Sequence, residues 1–411
     1  MTPPPLYIAF RFLTHRKRAF FLSLAGVVFG VAIFICTQAQ TQGFAQSFID
    51  STLGSNGSIV MLSRIQSLEG ATALPPLPVR PPHRLLFEGI NNASEIMRVS
   101  RQFSNVVACA PVLRGTLSAR AGFQNATATL FGIDLPLHLQ ATNLARQIDA
   151  GSLDDFRNNP NSLIVGSRLA EQLQVVPGES VQLLAPDGNY RRFVVAATAR
   201  SGVGVDDASR VYCHAKVAQS LLNKPYTTSL IIYKLRDPDR APALAKHFEQ
   251  LFHHTSQSWQ EREEANLQLF LTIRVSAAIT VSLIILLAGF GIFNVLTMTV
   301  LSKLKEIAIL RSMGYRRADI SAIFLWQGAM IAGAGSLIGC GMGALLTVLV
   351  SRIPIRVRGI IYANHFLVTW DWHHYLWAIV LAIIAVGIAS YVPARRAGLL
   401  SPVSTLRGTS G

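Results

Sequence analysis

The histidine pairs His253–His254 and His373–His374, together with Cys36, Cys109, Cys213 and Cys340, are the residues best equipped to ligate a metal or attack a substrate. Adjacent side chains point apart on a helix, and no third or fourth ligand stands at chelating spacing, so the pairs read as structural or interfacial and no metal site is expected. No Cys-x-x-Cys occurs. G-x-S-x-G and HExxH are also missing, and without any Gly-Lys dipeptide the phosphate-cradling GxxxxGK[ST] loop cannot be written. No residue is assigned a catalytic role, and no cofactor is expected on this chain.

A different kind of chemistry, recognition, is written into Ser302-Lys-Leu-Lys-Glu-Ile-Ala-Ile-Leu-Arg-Ser-Met-Gly-Tyr-Arg-Arg-Ala-Asp-Ile320. Ile307, Leu310 and Met313 share one side of a short helix, and Gly314 is placed to end it. Glu306 near its start and Arg311 near its end suit the helix dipole. The apolar stripe would fit either lipid headgroups or a protein groove, and periodicity leaves both open.

The elements that carry this segment are apolar. Hydrophobic residues make up 50% of the chain and charged residues 14%, with a mean hydropathy of +0.37. Such a balance excludes a disordered chain, which needs charge and lacks core-forming residues. Ala19–Cys36, Val275–Leu301, Ile320–Val350 and Tyr375–Val392 each meet the length of about 17 to 25 apolar residues needed for a spanning helix. The first follows a basic start but no small-residue cleavage site, and bulky Phe34 and Ile35 precede Cys36, so an uncleaved span is expected. Inside the spans there is no Asp, Glu or His, only Arg274 near one end. A proton or sodium relay needs such groups at membrane depth, which argues against an ion-coupled transporter.

The net charge of +15 is unevenly placed. Residues 41–265 hold 21 basic and 19 acidic side chains, leaving 16 basic and 3 acidic in the remainder. The excess flanks the apolar segments, as cations do beside lipid headgroups, and no basic run interleaved with aromatics suggests nucleic acid. Arg11, Arg16, Lys17 and Arg18, then Lys303, Lys305, Arg311, Arg316 and Arg317, then Arg395, Arg396 and Arg407 all belong on the cytoplasmic side by this rule. The expected order is a cytoplasmic N-terminus (1–18), a first span (19–40), an outer domain (41–265) and a second span (266–301). A cytoplasmic helix and loop (302–319), a third span (320–350), a short outer loop (351–374), a fourth span (375–394) and a cytoplasmic tail (395–411) complete it. Arg352, Arg356 and Arg358 in the outer loop suit headgroup contact. Gly335, Gly339 and Gly343 recur every fourth residue on one face of the third span, a seam for close helix packing within the chain or between two copies.

Between the first two spans the pattern is α+β. Gly54-Ser-Asn-Gly57 breaks the polar continuation of the first span, and Leu74–Pro82 reads as a loop. Strands are expected over Ser58–Leu62, Val106–Val112, Thr127–Ile133, Leu163–Val165, Ser180–Leu184, Arg192–Ala197, Arg210–Cys213 and Ser229–Tyr233, with helices near Arg168–Leu173 and Ala241–Leu251, arranged in two lobes. Glu249–Thr272 reads as a helix running into the second span. Sequence leaves open whether Cys109 and Cys213 are close enough for a disulfide.

Several of these segments together resemble the FtsX/MacB/Lol superfamily of ABC-transporter permeases. The resemblance rests on Lys305-Glu-Ile-Ala-Ile-Leu-Arg-Ser-Met-Gly314, Gln327-Gly328 with the Gly-rich third span, and Pro393-Ala-Arg-Arg-Ala397 followed by Pro402 and Leu406-Arg407. In the outer domain it rests on Phe131-Gly-Ile-Asp134, and on Ile164-Val-Gly-Ser-Arg-Leu-Ala-Glu-Gln-Leu173 with Pro177-Gly-Glu179. It implies an α-helical membrane protein with four transmembrane helices and a large α+β domain inserted between helices 1 and 2. It also implies a non-catalytic, inner-membrane permease subunit that works as a homodimer or heterodimer. A separate ABC ATPase, using ATP and Mg, would dock on Lys305, Glu306, Ile307, Leu310, Arg311 and Gly314. Its motion would drive extraction or export of a lipoprotein, lipid or amphiphile, with a membrane-fusion adaptor or periplasmic carrier as a further partner. Leu184-Ala-Pro-Asp-Gly-Asn-Tyr-Arg-Arg-Phe193 reads as a tight turn where carrier-using members can bear a long hairpin, which counts against a carrier. FtsX-like members imply the alternative, a regulator that activates a periplasmic cell-wall enzyme.

Overall fold

A computed structural model describes Ala9 and residues 17–63, 66–67, 86–87, 89–225, 227–354 and 366–399. It divides into two compact units. Of the described residues, one unit holds Ala9, 17–46, 268–354 and 366–399; the other holds those within Ser47–Leu267. Leu74–Pro82, Arg356, Arg358, Pro402 and Leu406-Arg407 lie outside the described residues.

Among the described residues four helices are long and apolar enough to cross a membrane: Phe20–Asn56, Glu264–Ser302, Arg317–Ser351 and Trp372–Leu399. The first belongs to a helix beginning at Lys17. In lipid no hydrophobic force draws apolar helices together, so close backbone approach has to do it. The seam glycines supply that approach within the chain. A Cβ on Gly335 would stand 2.8 Å from Val27, one on Gly339 2.8 Å from Val31, and one on Gly343 3.1 Å from Ile35. The third span thus lies directly on the first. Gly333 and Gly341, on other faces, have nothing within 4 Å. Gly328 meets Ser390 of the fourth span in the same way.

At one end of this unit the chain between the third and fourth spans lies on the first. Thr369 N donates to Ala39 O at 3.0 Å, and Gly43 is bare because a Cβ would come within 2.5 Å of Leu367 O. Gln42 joins the two elements: its Nε2 donates to Asp371 Oδ2 at 3.4 Å, and its Oε1 accepts from His374 Nε2 at 2.6 Å.

The other unit is built on one mixed sheet. Its strands are β1 (Ile59–Leu62), β4 (Val106–Ala121), β5 (Gln124–Ile133), β6 (Ile148–Gly151), β7 (Ser162–Gly166), β8 (Ser180–Leu184), β9 (Tyr190–Ala199), β10 (Arg210–His214), β11 (Leu230–Leu235) and β12 (Ser256–Ser258). A separate two-residue pair is formed by β2 (Gln66–Ser67) and β3 (Leu86–Phe87). The order is β12-β1-β11-β4-β5-β10-β7-β9-β6, with β8 bridging β4 and β9. β5–β10 and β7–β9 are parallel; the other pairings are antiparallel. One continuous sheet thus replaces the two expected lobes.

Side-chain alternation buries separate clusters along the sheet. Leu130, Leu163, Val195 and Val211 form one; Val112, Phe131, Ile133 and Ile232 form another; Ile59, Cys109, Tyr233 and Phe248 form a third. β4 continues nine residues past the expected Val112 because its outer half alternates Leu117 and Ala119 inward with Arg114 and Arg120 outward, against both β5 and β8. The expected Glu249–Thr272 helix is instead four pieces, the last of them the start of the helix Glu264–Ser302. The helix Ala241–Phe252 stops at His253, whose φ of 55° is left-handed. β12 then pairs with β1, and a capping box of Ser258 and Glu261 starts a short helix, Trp259–Arg262. The pull of Trp259 into the core, only 6% exposed, explains the break.

Between β8 and β9 the chain turns in five residues, closed by Ala185 N to Asn189 O at 3.0 Å with Gly188 at φ 83°. Cys109 and Cys213 are both free and buried. β4 and β10 are separated by β5, and two strand spacings of about 4.8 Å exceed a disulfide's reach.

Candidate functional site

The recognition segment folds as a helix, Leu304–Ser312, between the second and third spans. Lys303 starts it and pairs with Glu306 one turn on. Gly314 ends it, with φ 99° and nothing among the described residues within 4 Å of where a Cβ would stand, so the stop is conformational rather than steric. Asp319 Oδ2 then accepts from Arg316 N at 2.9 Å, opening the third span.

The two sides of this helix have different fates. Ile307 and Ala308 are 1% and 3% exposed and Leu310 packs behind them, all against the membrane unit's core. Arg311 Nη1 donates to Gly398 O, at the end of the fourth span, across 3.0 Å. The outward side carries Lys305, Glu306, Ile309 and Met313, with Ile309 51% and Met313 73% exposed.

The expected docking set therefore divides. Lys305, Glu306 and Gly314 are on the exposed side; Ile307, Leu310 and Arg311 are turned into the chain's own bundle. Ile309 and Met313, outside the expected docking set, lie on the same exposed side as Lys305 and Glu306. Their i, i+4 spacing with Lys305 is a usable signal, since such residues share one stripe. Periodicity instead groups Met313 with Ile307 and Leu310, and the buried pair 307–308 shows that the inward face is centred half a turn away.

Arg352 is exposed and forms the C-terminal cap of the third span, its N bonded to Leu349 O at 3.2 Å. His254 is buried, which lowers its pKa, and His373 pairs with Asp371 at 2.6 Å. Among the described residues no group of three His, Cys, Asp or Glu side chains gathers around a common point.

Four apolar spans, a helix exposed on one side between the second and third, and a large α+β unit inserted after the first define a class: a multi-pass membrane protein with one large inserted domain. Residues 20–251 match the family model described as MacB-like periplasmic core domain, and residues 278–402 match FtsX-like permease C-terminal. The chain belongs to the FtsX/MacB/Lol superfamily of ABC-transporter permeases. It is 25% identical to the lipoprotein-releasing system transmembrane protein LolC of Neisseria meningitidis serogroup B, covering 98% of both chains. It is 23% identical to the macrolide export ATP-binding/permease protein MacB of Acinetobacter baylyi, covering 95% of this chain and 57% of that one. The periplasmic region of MacB from Actinobacillus actinomycetemcomitans aligns at a TM-score of 0.34 with 13% identity, covering 53% of this chain and 96% of that one.

Proposed function

We propose that this chain is the permease subunit of an ATP-driven transporter whose nucleotide-hydrolysing subunit is a separate ABC ATPase. The observation that carries the reading is the two-sided helix Leu304–Ser312. Its inward side is fixed by Ile307 and by the Arg311–Gly398 bond, and its outward side leaves Lys305, Glu306, Ile309 and Met313 exposed among the described residues. Two apolar side chains of that size beside an opposite-charge pair are the composition of a small protein contact. Surface lipid would be served equally well by apolar residues without Glu306, since a carboxylate is repelled by anionic headgroups.

In this reading the helix and both termini face the cytoplasm, the 41–265 domain lies in the periplasm, and two permease chains work together. The ATPase uses ATP and Mg, and its closure moves the helix and, through it, the spans. The absence of Asp, Glu and His from Ala19–Cys36, Val275–Leu301, Ile320–Val350 and Tyr375–Val392 fits a device that shifts an amphiphilic cargo without threading it through a polar conduit. Cargo of the lipoprotein, lipid or amphiphile class follows from the relatives' names, LolC above all. The tight β8–β9 turn supports a route without a long hairpin for a carrier.

The test is copurification of the chain with its ATPase, followed by reconstitution in vesicles. Charge reversal at Glu306 or Ile309→Asp should cut stimulated ATP hydrolysis roughly tenfold or more, the scale of losing one buried apolar anchor. Hydrolysis that stays stimulated in both variants would refute docking at this face. Vesicles that hydrolyse ATP, move no lipid-linked substrate and alter only a bound hydrolase would favour the regulator.

A further inference from the structure

We infer that the outer domain carries a binding site for the anionic headgroup of an amphiphile, set between β1, β5, β11 and the short helix Trp259–Arg262. The site goes beyond the permease reading, and nothing in it depends on whether an ATPase docks. It is a cavity of about 260 Å³. Three guanidinium groups line it, those of Arg114, Arg210 and Arg262, against two carboxylates, Asp206 and Glu263. The balance favours a single negative charge.

The three arginines are held differently. Arg210, 6% exposed, is fully engaged: Nη2 bonds Asp206 Oδ2 at 2.7 Å and Asn56 Oδ1 at 2.9 Å, and Nη1 bonds the Tyr212 hydroxyl at 3.2 Å. Its guanidinium lies 4.6 Å from the centre of the Phe131 ring. That arrangement builds a rigid floor.

Arg262 is only half satisfied. Its Nη2 donates to Gly57 O at 3.1 Å, but Nη1 is shielded from solvent with no hydrogen-bond partner among the described residues. Burial brings its pKa down to about 10 while Glu263 and Asp206 hold it charged, so it is a cation at neutral pH. A buried cationic N–H without an acceptor is costly, and it leaves Arg262, which lines the cavity, with a poorly compensated positive charge that attracts an anion. Arg114 is exposed and makes no ion pair among the described residues, leaving a second fork of donors free at the rim.

Beside the cations four apolar side chains, Val60, Leu62, Leu230 and Ile232, share the wall with Asn56, Thr129, Ser209 and Gln257. A free phosphate would leave that wall unused; a headgroup followed by the first methylenes of a chain fills both parts. The volume is below the roughly 300–1,000 Å³ of sites for whole drug-sized molecules, which fits a headgroup grip rather than enclosure of a complete lipid.

The experiment titrates the full chain, in phosphatidylcholine nanodiscs, with dihexanoyl phosphatidic acid and separately with inorganic phosphate, by calorimetry. One equivalent of the phosphatidic acid should bind at least about tenfold more tightly than phosphate, since two buried methylenes supply that factor. Arg262→Gln and Arg114→Gln should each weaken it by roughly tenfold. Arg114 is exposed and has no ion pair among the described residues, so its variant keeps the test sound even where Arg262→Gln disturbs folding. Equal affinity for phosphate would overturn the amphiphile assignment. No binding, or affinity unchanged in both variants, would overturn the site itself.

Discussion

The guanidinium of Arg311 reaches the backbone carbonyl of Gly398 across 3.0 Å, joining the helix between the second and third spans to the end of the fourth. Gly398 itself sits where a Cβ would meet Ser321 Oγ at 2.5 Å and Arg317 O at 2.9 Å, so three elements converge on one small residue. Arg311 therefore works from the inside of the junction.

That position separates two classes of variant. Arg311→Gln should lower the thermal midpoint of the detergent-solubilised chain, with a loss of about 1.5–3 kcal/mol for a charged hydrogen bond to a backbone oxygen. Glu306→Lys should leave the midpoint within a degree or two and reduce only ATPase stimulation. Differential scanning fluorimetry beside an ATPase assay measures both, and equal melting losses in the two variants would contradict the inward-outward division.

The packing of Val31 on Gly339 makes a steric prediction. Gly339→Val should destabilise the membrane unit by about 1–3 kcal/mol or more through overpacking. Val31→Ala, which removes the Val31 Cγ1 contact at 2.8 Å and keeps the Cβ contact, should restore part of that loss. Gly341→Ala, with nothing within 4 Å, should be silent, and thermal melts of the four proteins decide the matter.

His138 predicts acid lability of the outer domain. It is 1% exposed, neither ring nitrogen has a hydrogen-bond partner among the described residues, and burial, with a smaller push from Arg210, depresses its pKa to about 3. The unfolded chain takes up a proton at about 6.5 and the folded one resists it, so this contribution is complete above about pH 6.5. It should fall by about 1.4 kcal/mol per pH unit below that, until about pH 3. Chemical unfolding at pH 5 and pH 7 should show a gap in His138→Phe smaller by roughly 2 kcal/mol than in the native chain.

The thiols give a covalent check. Cys109 and Cys213 are free, and burial pushes Cys213 up to about 12. Alkylation without reductant should modify neither in the folded chain and both after denaturation. A mass two daltons short after denaturation in the absence of oxidant would mean a bond that the sheet order forbids.

Hydropathy made the membrane part legible because lipid imposes one rule on every residue of a span. The strand pattern was legible wherever alternation was local, as over Ser180–Leu184. It failed where tertiary pairing decided: β4 runs on through Gly115 because β5 and β8 flank it, and His253 leaves the helix because Trp259 has a core to enter. The helix Leu304–Ser312 shows the same limit. Periodicity found that Ile307 and Leu310 share a side, but which side meets the bundle depends on Ile320 and Phe324 of the next span, fully buried beside it. The seam glycines named a face, and only coordinates supplied Val27, Val31 and Ile35 as its occupants. Nothing in the spacing of Arg114, Arg210 and Arg262 foretold that three distant segments bring them to one cavity.

The Gln42 amide has two chemically opposite ends, and each is already spoken for: the nitrogen by Asp371, the oxygen by His374. Rotating the amide by half a turn would set like against like at both ends. The fastening is thus keyed, and sliding the helix that bears Gln42 by one residue undoes both halves together. Paired spin labels near 39 and 370 should accordingly report two discrete separations during turnover, with no smear of intermediate lengths between them.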